Sequence, residues 1–284
     1  MSDKINWFPG HMKKALGIIG ENLGLVDAVL YVLDARAPGA CINPGFEKIL
    51  NEKPRLYILN KADLVDDGYL KLWSEYFRKS GHACTAVNSA TGITSGVIKE
   101  VRTLLAEKIQ RYKDKGVKKT LRIMVIGIPN SGKSTLINSI GGKKKTATGD
   151  KPGVTKTKQW VKISDGIEML DTPGALWPNL EDQEAAKNLF FIGSIKPEIF
   201  DNTELALMLI ERLKETAPDK LESRYGLPPT ENIAPTEILE IIAKNRGNVV
   251  KGGEADFDRT AIALLDDFKK ARIGRIGLEK PDIQ

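Results

Sequence analysis

Hydrophobic positions in the first part of the chain mostly form short continuous runs. Such runs, each followed by a segment with helical spacing, are typical of parallel strands buried on both faces. The runs that predict strands are 28–34, 55–60, 83–87 and 121–126. The segments that predict helices are 44–51, 68–80 and 96–112, the last of which leads into a polar linker at 113–119. This alternation predicts an α/β domain with a mostly parallel sheet.

The pattern changes beyond Pro178, after two more predicted strands. Two further runs, 160–163 and 167–170, flank a Ser-Asp-Gly turn and predict a hairpin. Beyond Pro178 the strand-like runs stop and helix signals with Asp or Asn caps take over. The helices predicted there are 180–192, 203–215, 235–245 and 257–270. We therefore predict an α/β domain at 1–178 and a small all-α domain at 179–284.

Composition and charge narrow the class of protein. The 284 residues are 41% hydrophobic and 28% charged, without an apolar run near the roughly 20 residues of a membrane span. We expect a cytoplasmic protein that has no secretory signal and does not bind a membrane. The net charge of +6 favours polyanionic partners. The only two cysteines lack partners at metal-ligand spacing, which disfavours a zinc site.

A glycine-rich segment, Gly127-Ile-Pro-Asn-Ser-Gly-Lys-Ser134, lies between a predicted strand and a predicted helix. This is the phosphate-loop pattern in its required context. Lys133 would reach the β- and γ-phosphates, Ser134 would ligate Mg²⁺, and backbone amides would cradle the anion. The predicted nucleotide contacts in this segment are Asn130, Ser131, Gly132, Lys133, Ser134 and Thr135.

A second motif, Asn60-Lys-Ala-Asp63, follows a predicted strand, where ligands bind in open α/β sheets. The two oxygens of Asp63 can accept from the ring N–H and the exocyclic amine of guanine, a donor pair that adenine lacks. Lys61 would cover the base with its aliphatic stem, and Asn60 would bind the phosphate loop or the base edge. Ser89 and Ala90, after another strand, would add a backbone donor. These residues predict guanine recognition.

The remaining motifs concern the γ-phosphate. Asp171-Thr-Pro-Gly174 ends an apolar strand, so Asp171 would hold a magnesium-bound water and the Gly174 amide would meet the γ-phosphate. Thr155 would complete the metal shell, unless it is an ordinary loop residue. Many GTPases have a water-orienting glutamine next, but here Ala175 and Leu176 follow.

Hydrolysis therefore needs another source of positive charge or of water alignment. The side-chain oxygen of Asn130 would help to hold a monovalent cation against the phosphates, and we count Lys133 with it as catalytic. His11, in Trp7-Phe-Pro-Gly-His11, would position or deprotonate the attacking water if the N-terminal segment folds over the site. An ordinary surface histidine is the alternative.

These motifs, in this order, resemble the circularly permuted GTPases and specifically the ribosome biogenesis GTPase A family. The resemblance covers nearly the whole chain. It rests on Asn6-Trp-Phe-Pro-Gly-His-Met12, Asn60-Lys-Ala-Asp63, Pro152-Gly-Val-Thr155, Asp171-Thr-Pro-Gly174 and Phe268-Lys-Lys-Ala-Arg-Ile-Gly-Arg275. It implies a permuted P-loop GTPase fold, a catalytic role for His11 and potassium-assisted hydrolysis at Asn130.

The resemblance also implies a GTP- and GDP-binding factor that binds the large ribosomal subunit and its rRNA late in assembly, with hydrolysis coupled to release. We expect no DNA partner. Basic residues that would contact RNA are Lys143–Lys145, Lys151, Lys156, Lys158, Lys269, Lys270, Arg272 and Arg275. A solvated basic face is the alternative. Two other functions stay open: a GTP-dependent scaffold with incidental hydrolysis, and an ATP-dependent phosphotransferase.

Overall fold

The computed structural model describes residues 11–50, 53–142, 159–164, 166–176, 182–195 and 201–281. Of residues 11–15, Ser95, Gln159 and Ser164 it describes the backbone alone. The predictions for Thr155, for the lysines at 143–158 and for the boundary near Pro178 lie outside the described residues, as does the side chain of His11.

The described residues contain a six-stranded sheet in the order β3-β2-β1-β4-β6-β5. The strands are β1 (Ala28–Asp34), β2 (Arg55–Asn60), β3 (Ala83–Val87), β4 (Leu121–Ile126), β5 (Gln159–Ser164) and β6 (Ile167–Asp171). Only β5, at one edge, runs antiparallel, against β6. The other five are parallel, with β1 between β2 and β4. Every residue of β1 and β2 is buried, which explains their continuous apolar sequences.

The helices before residue 176 lie on both faces of this sheet. They are α1 (His11–Leu23), α2 (Pro44–Leu50), α3 (Asp67–Lys79), α4 (Ser95–Leu104), α5 (Ala106–Asp114) and α6 (Lys133–Gly141). One apolar cluster joins one sheet face to residues of α4 and α6, including Val97, Val101 and Leu136. The opposite face packs against α1, α2 and α3 through Ile19, Phe46 and Trp73. This is the three-layer arrangement expected of a mostly parallel sheet.

The second part of the chain consists of helices and connecting segments in the described residues. Its helices are α7 (Gln183–Phe191), α8 (Asn202–Thr216), α9 (Pro218–Tyr225), α10 (Pro235–Asn245) and α11 (Phe257–Lys269). Three of them begin at aspartate caps, Asp182, Asp201 and Asp256, whose side chains accept from backbone N–H groups in the first turn. These helices share the apolar cluster of the sheet face that α1–α3 cover, so the two parts of the chain pack against each other.

After α11 the chain returns to the α/β part as a segment without helix or strand, 273–281, which we call the C-terminal strap. Its backbone N–H groups at Ile276 and Leu278 donate to the carbonyl oxygens of Leu64 and Arg36, at 3.0 and 2.8 Å. Leu278 is fully buried, and the Glu279 side chain accepts from the N–H of Ala40 at 3.0 Å. The strap is therefore built into the core of the α/β part.

Most element predictions are confirmed, including the bounds of β1 to β4. The helix predicted over 96–112 is instead two helices, α4 and α5, because the backbone leaves the helical region at Leu105, with φ −106° and ψ 16°. Two helices were missed. α1 contains Gly17 and Gly20, which lower helix propensity, and α9 has eight residues although Pro218 and Gly226 mark its ends.

Within the described ranges, none of the helices is long and apolar enough to cross a lipid bilayer.

Candidate functional site

The predicted site residues with described side chains lie at the carboxyl ends of β2, β3, β4 and β6, four of the five parallel strands. The five parallel strands end at Asp34, Asn60, Val87, Ile126 and Asp171. Parallel strands place such ends at one edge of the sheet, so loops far apart in sequence meet there. The guanine motif, Ser89, the phosphate loop and the Asp171 motif all lie along this edge.

Asn60 connects three of these loops. Its Nδ2 donates to the carbonyl oxygen of Ser131 in the phosphate loop at 2.8 Å. Its Oδ1 accepts from the Ser89 hydroxyl at 2.8 Å and from the Ser89 N–H at 3.2 Å. Asn60 is 2% exposed, so these bonds lie in a water-poor environment where their loss would be costly. The guanine motif and the phosphate loop therefore form one assembly.

The glycines of the phosphate loop permit this close contact. Gly132 has φ 95°, and a Cβ there would lie 2.1 Å from Asn60 Nδ2. Gly127 has φ 148°, and a Cβ there would lie 2.3 Å from the carbonyl oxygen of Val32. A larger side chain at Gly127 would displace backbone, and one at Gly132 would displace the buried Asn60 side chain that joins the loops. Ser131, with no exposed surface, closes the loop through a hydroxyl bond to the Ile128 carbonyl at 3.0 Å.

The residues predicted to recognise guanine differ in exposure. Asp63, in a 3₁₀ turn at Ala62–Leu64, is exposed at the mouth of the site, as is Ala90. The Ala90 N–H donates to Asn88 Oδ1 at 3.0 Å, so the predicted backbone donor has a partner within the chain. Lys61 adopts a left-handed conformation with φ 59°. Its side chain turns toward the sheet and pairs with Asp34.

Lys61 Nζ lies 2.8 Å from Asp34 Oδ2, and Arg36 binds the same carboxylate through both oxygens, at 2.9 and 2.7 Å. Asp34 and Arg36 are 0% and 3% exposed. Burial alone would raise the pKa of Asp34, but the charges of Arg36 and Lys61 outweigh it and hold that pKa well below its usual range. Asp34 is therefore ionised and holds the guanine-motif lysine in place.

Lys133 is buried at the first turn of α6. Its Nζ donates to the carbonyl oxygen of Ile128 at 2.7 Å, across the phosphate loop. Burial lowers the pKa of Lys133 to about 8, although the nearby Asp171 carboxylate acts in the opposite direction. The loop thus contains a buried cation at the position where phosphates would compensate its desolvation.

Ser134 and Asp171 form the candidate metal site. The Ser134 hydroxyl donates to Asp171 Oδ2 at 2.9 Å. A hydroxyl and a carboxylate oxygen at hydrogen-bond distance are the hard ligands that Mg²⁺ takes when substrate phosphates and water complete its shell. Clusters of three or more His, Cys, Asp or Glu that could hold a metal are absent from the described ranges.

The Asp171 motif packs tightly on the phosphate loop. A Cβ at Gly174 would lie 2.7 Å from Pro129 N and 2.9 Å from Lys133 Nζ, so only glycine fits there. Ala175 and Leu176 are both fully buried. Their side chains belong to the apolar cluster and do not point into a water-filled site.

Two site residues contact the turn after α7. Asn130, with φ 59°, donates through Nδ2 to the Gly193 carbonyl at 2.7 Å. Arg36 donates to the neighbouring Ile192 carbonyl at 3.1 Å, and its guanidinium lies 5.6 Å from the Phe268 ring centroid. The helical part of the chain therefore touches the phosphate loop and the Asp34 network directly.

The residue patterns did not single out Asp34 or Arg36. The available signal was a pair of opposite charges at the end of the buried strand β1, Asp34 as its last residue and Arg36 two positions later. The tail arginines, predicted to contact RNA, are engaged within the chain. Arg272 pairs with Asp266 and Asp267, both at 3.1 Å, and Arg275 pairs with Asp67 at 2.8 Å and donates to the Val65 carbonyl. This pairing reduces the positive charge that the tail presents.

Comparison with known proteins gives one consistent group. A family model described as a 50S ribosome-binding GTPase matches residues 122–239. Ribosome biogenesis GTPase A of Bacillus licheniformis is 41% identical over 281 residues, covering 98% of this chain and 99% of that protein. Ribosome biogenesis GTPase A of Thermotoga maritima is 31% identical over 278 residues, covering 98% and 95%.

Solved structures agree with these relatives. A GDP-bound YlqF structure superposes with a TM-score of 0.67 at 27% identity, covering 94% of this chain and all of that chain. GNP-bound YlqF from T. maritima gives 0.65 at 28% identity, covering 95% and 100%. The similarity in sequence and in fold extends over nearly the whole length.

Proposed function

Because the chain belongs to the ribosome biogenesis GTPase A family, we propose that it binds the large ribosomal subunit late in assembly and that GTP hydrolysis drives its release. Family membership makes it a guanine-nucleotide-binding GTP hydrolase of ribosome biogenesis with a circularly permuted P-loop fold. The observation that carries the site proposal is the Asn60 contact. It joins the predicted guanine motif to the phosphate loop, 71 residues away in sequence.

In the proposed pocket, Asp63 accepts from the two guanine donors while the fixed stem of Lys61 lies beside the base. Asn60, Ser89 and Ala90 shape the base side. The phosphate side is formed by Asn130, Ser131, Gly132, Lys133, Ser134, Thr135 and Gly174. Lys133 is the main source of positive charge, because its desolvated ammonium gains most from a phosphate partner.

Ser134 and Asp171 would hold Mg²⁺, with Thr155 added from outside the described residues. The ion would neutralise charge on the β- and γ-phosphates. A potassium ion held by Asn130 would supply further charge at the same oxygens, and His11 would orient or deprotonate water. The burial of Ala175 and Leu176 supports a role for groups outside this motif in water alignment.

We also propose that the nucleotide sets the orientation of the helical part, residues 179–284, which would contact rRNA. Its support is the turn at Ile192 and Gly193, which binds Arg36 and Asn130 together. A γ-phosphate that engages Asn130 or Gly174 would change the contacts of this turn. Similar domain geometry with GDP and with a GTP analogue would count against this coupling. A function in ribosome assembly would place the protein in the cytoplasm.

The decisive experiment is a hydrolysis assay with GTP, ATP and xanthosine triphosphate, in potassium and in sodium, with and without large subunits. We expect GTP to be preferred, potassium to stimulate and subunits to accelerate turnover. Asp63→Asn should lose GTP preference by at least about tenfold and gain xanthosine triphosphate, because the amide can donate to the xanthine carbonyl. Equal use of ATP and GTP by the wild-type protein would refute the pocket.

Sedimentation tests the partner separately. Co-migration with large subunits in the triphosphate state only, together with stimulated hydrolysis, supports a factor that leaves after hydrolysis. Absence of both effects would leave the scaffold alternative.

A further inference from the structure

A second charged surface lies at the amino ends of the parallel strands, whereas the nucleotide site lies at their carboxyl ends. Residues 108–119 contain six basic residues and one acidic residue, a net charge of +5, while the whole chain carries +6. The segment from Lys108 to Lys119 is therefore strongly basic, and residues 143–158, outside the described residues, carry the same net charge of +5. We define the basic rim as Arg111, Lys113, Lys115, Lys118, Lys119 and Arg122.

Asp27 assembles the rim from three segments. It accepts the Arg122 N–H at 2.8 Å at the start of β4, and Lys108 Nζ lies 2.6 Å from its other oxygen. Lys119 Nζ lies 3.6 Å from that same oxygen. Burial would raise the pKa of Asp27, but the Arg122 N–H and the two lysines lower it. This carboxylate is 6% exposed, so it fixes the segments while the other rim cations face solvent.

The rim cations are mostly available to a partner. Arg111, Lys113, Lys115 and Lys118 are exposed, and they form no ion pair within the part of the chain that the structure describes. The tail cations differ, because Lys270, Arg272 and Arg275 each pair with an aspartate. The rim therefore presents more uncompensated charge than the tail does.

Two aromatic rings lie among these cations. The Arg122 guanidinium is 5.3 Å from the centroid of Trp160, an exposed residue of the edge strand β5, and Lys119 Nζ is 4.7 Å from the centroid of Tyr112. Phosphate-binding cations beside an exposed ring are the combination that contacts RNA, where cations neutralise the backbone and rings stack on unpaired bases. A membrane-surface helix would need a broad exposed apolar face, whereas Ile109 of α5 packs against the core.

We propose that the basic rim, with Trp160, is an RNA-binding surface of this protein. That the RNA is rRNA of the large subunit rests on the proposed function. The rim lies at the amino ends of strands whose carboxyl ends hold the nucleotide site. The six residues of β4 separate the two by roughly 20 Å, so RNA and nucleotide bind at the same time.

The test compares two triple variants that remove equal charge. Lys113→Ala/Lys115→Ala/Lys118→Ala changes the rim, and Lys71→Ala/Arg78→Ala/Lys79→Ala changes exposed residues of α3. Affinity for polyuridylate and for purified large subunits is measured over a range of salt concentrations. We expect the rim variant to reduce the slope of log affinity against log salt by roughly two. The control should keep the wild-type slope, and both should keep wild-type GTP affinity and basal hydrolysis.

Trp160 is tested on its own. Trp160→Ala should weaken polyuridylate binding about tenfold with an unchanged salt slope, and Trp160→Phe should restore most of the affinity. Equal losses in the rim and control variants would overturn the proposal. So would binding of the rim to anionic phospholipid vesicles but not to RNA.

The outcomes separate the rim from the proposed function. If the wild-type protein fails to bind large subunits, the proposed function is wrong. Polyuridylate binding by the rim and control variants still tests the RNA-binding surface in that case. If the wild-type protein and the rim variant bind subunits with the same salt slope, the rim is not an RNA-binding surface, and the proposed function is unaffected.

Discussion

The substitution Arg36→Ala tests how the Asp34 network supports the site. Arg36 donates twice to Asp34 and once to the Ile192 carbonyl, with N–O distances between 2.7 and 3.1 Å. Its removal leaves the buried Asp34 carboxylate with Lys61 as its one cation, beside the backbone N–H of residue 36. Breaking a buried ion pair costs about 3–5 kcal/mol, and the lost carbonyl bond adds about 1 kcal/mol. We expect a loss near 4 kcal/mol, because water entering the vacated space recovers part of the cost.

Urea unfolding of a double-mutant cycle measures this. Arg36→Ala, Asp34→Asn and the double variant are compared at neutral pH, with Arg36→Lys as a control that keeps the charge but loses the bidentate geometry. The double variant should lose less than the sum of the single variants by at least about 2 kcal/mol, because it leaves no unpaired carboxylate. Additivity within about 0.5 kcal/mol would refute the electrostatic account.

The pH dependence has a defined sign. The pKa of Asp34 is lower in the folded protein than in the unfolded chain. The stability it contributes is therefore fully present above the unfolded value, about pH 3.9, and is lost as pH falls through the folded value. The difference in unfolding free energy between wild type and Asp34→Asn should shrink below about pH 4. A difference that grew on acidification would contradict this assignment.

Three further results are expected. GDP affinity should fall by up to about tenfold per pH unit above pH 8, and calorimetry should show proton uptake on binding. The reason is that bound phosphates favour charged Lys133, whose pKa is lowered to about 8 in the free protein. Constant affinity to about pH 9.5 would contradict this. Gly174→Ala should reduce the rate of GTP hydrolysis at least about tenfold, because the alanine Cβ would lie 2.7 Å from Pro129 N. A wild-type rate would show that the loop accommodates the added methyl group. Leu278→Ala should lower the unfolding free energy measured in urea by about 2–5 kcal/mol, because this strap residue is fully buried. A decrease below about 1 kcal/mol would show that the strap is not part of the core.

The arrangement of the chain gives the helical part direct access to the nucleotide site. The turn at Ile192 and Gly193 contacts Arg36 and Asn130, and the strap binds the Leu64 carbonyl, one residue beyond Asp63. The phosphate loop and the loop that carries Asp63 therefore both border the C-terminal region. A change at either side has a short physical route to the proposed ribosome-contacting domain, through packed and hydrogen-bonded residues.

Local patterns predicted much of this protein. Continuous apolar runs identified β1 to β4, and the glycine and lysine spacing identified the phosphate loop, because both follow from the backbone and side-chain needs of a few adjacent residues. The break at Leu105 and helix α1 were not predicted. Where a helix forms or breaks depends also on tertiary packing, which can override weak helix propensity.

Sequence alone predicted the phosphate-loop and guanine motifs, because each is a contiguous segment. Only the tertiary structure decided that Arg36 and Lys61 share the carboxylate of Asp34, and that Arg275 is held inside the chain by Asp67 while Lys113 is left exposed. The reason is physical. The environment of a charged side chain is set by residues distant in sequence, and burial with a partner or exposure without one decides what that charge can bind.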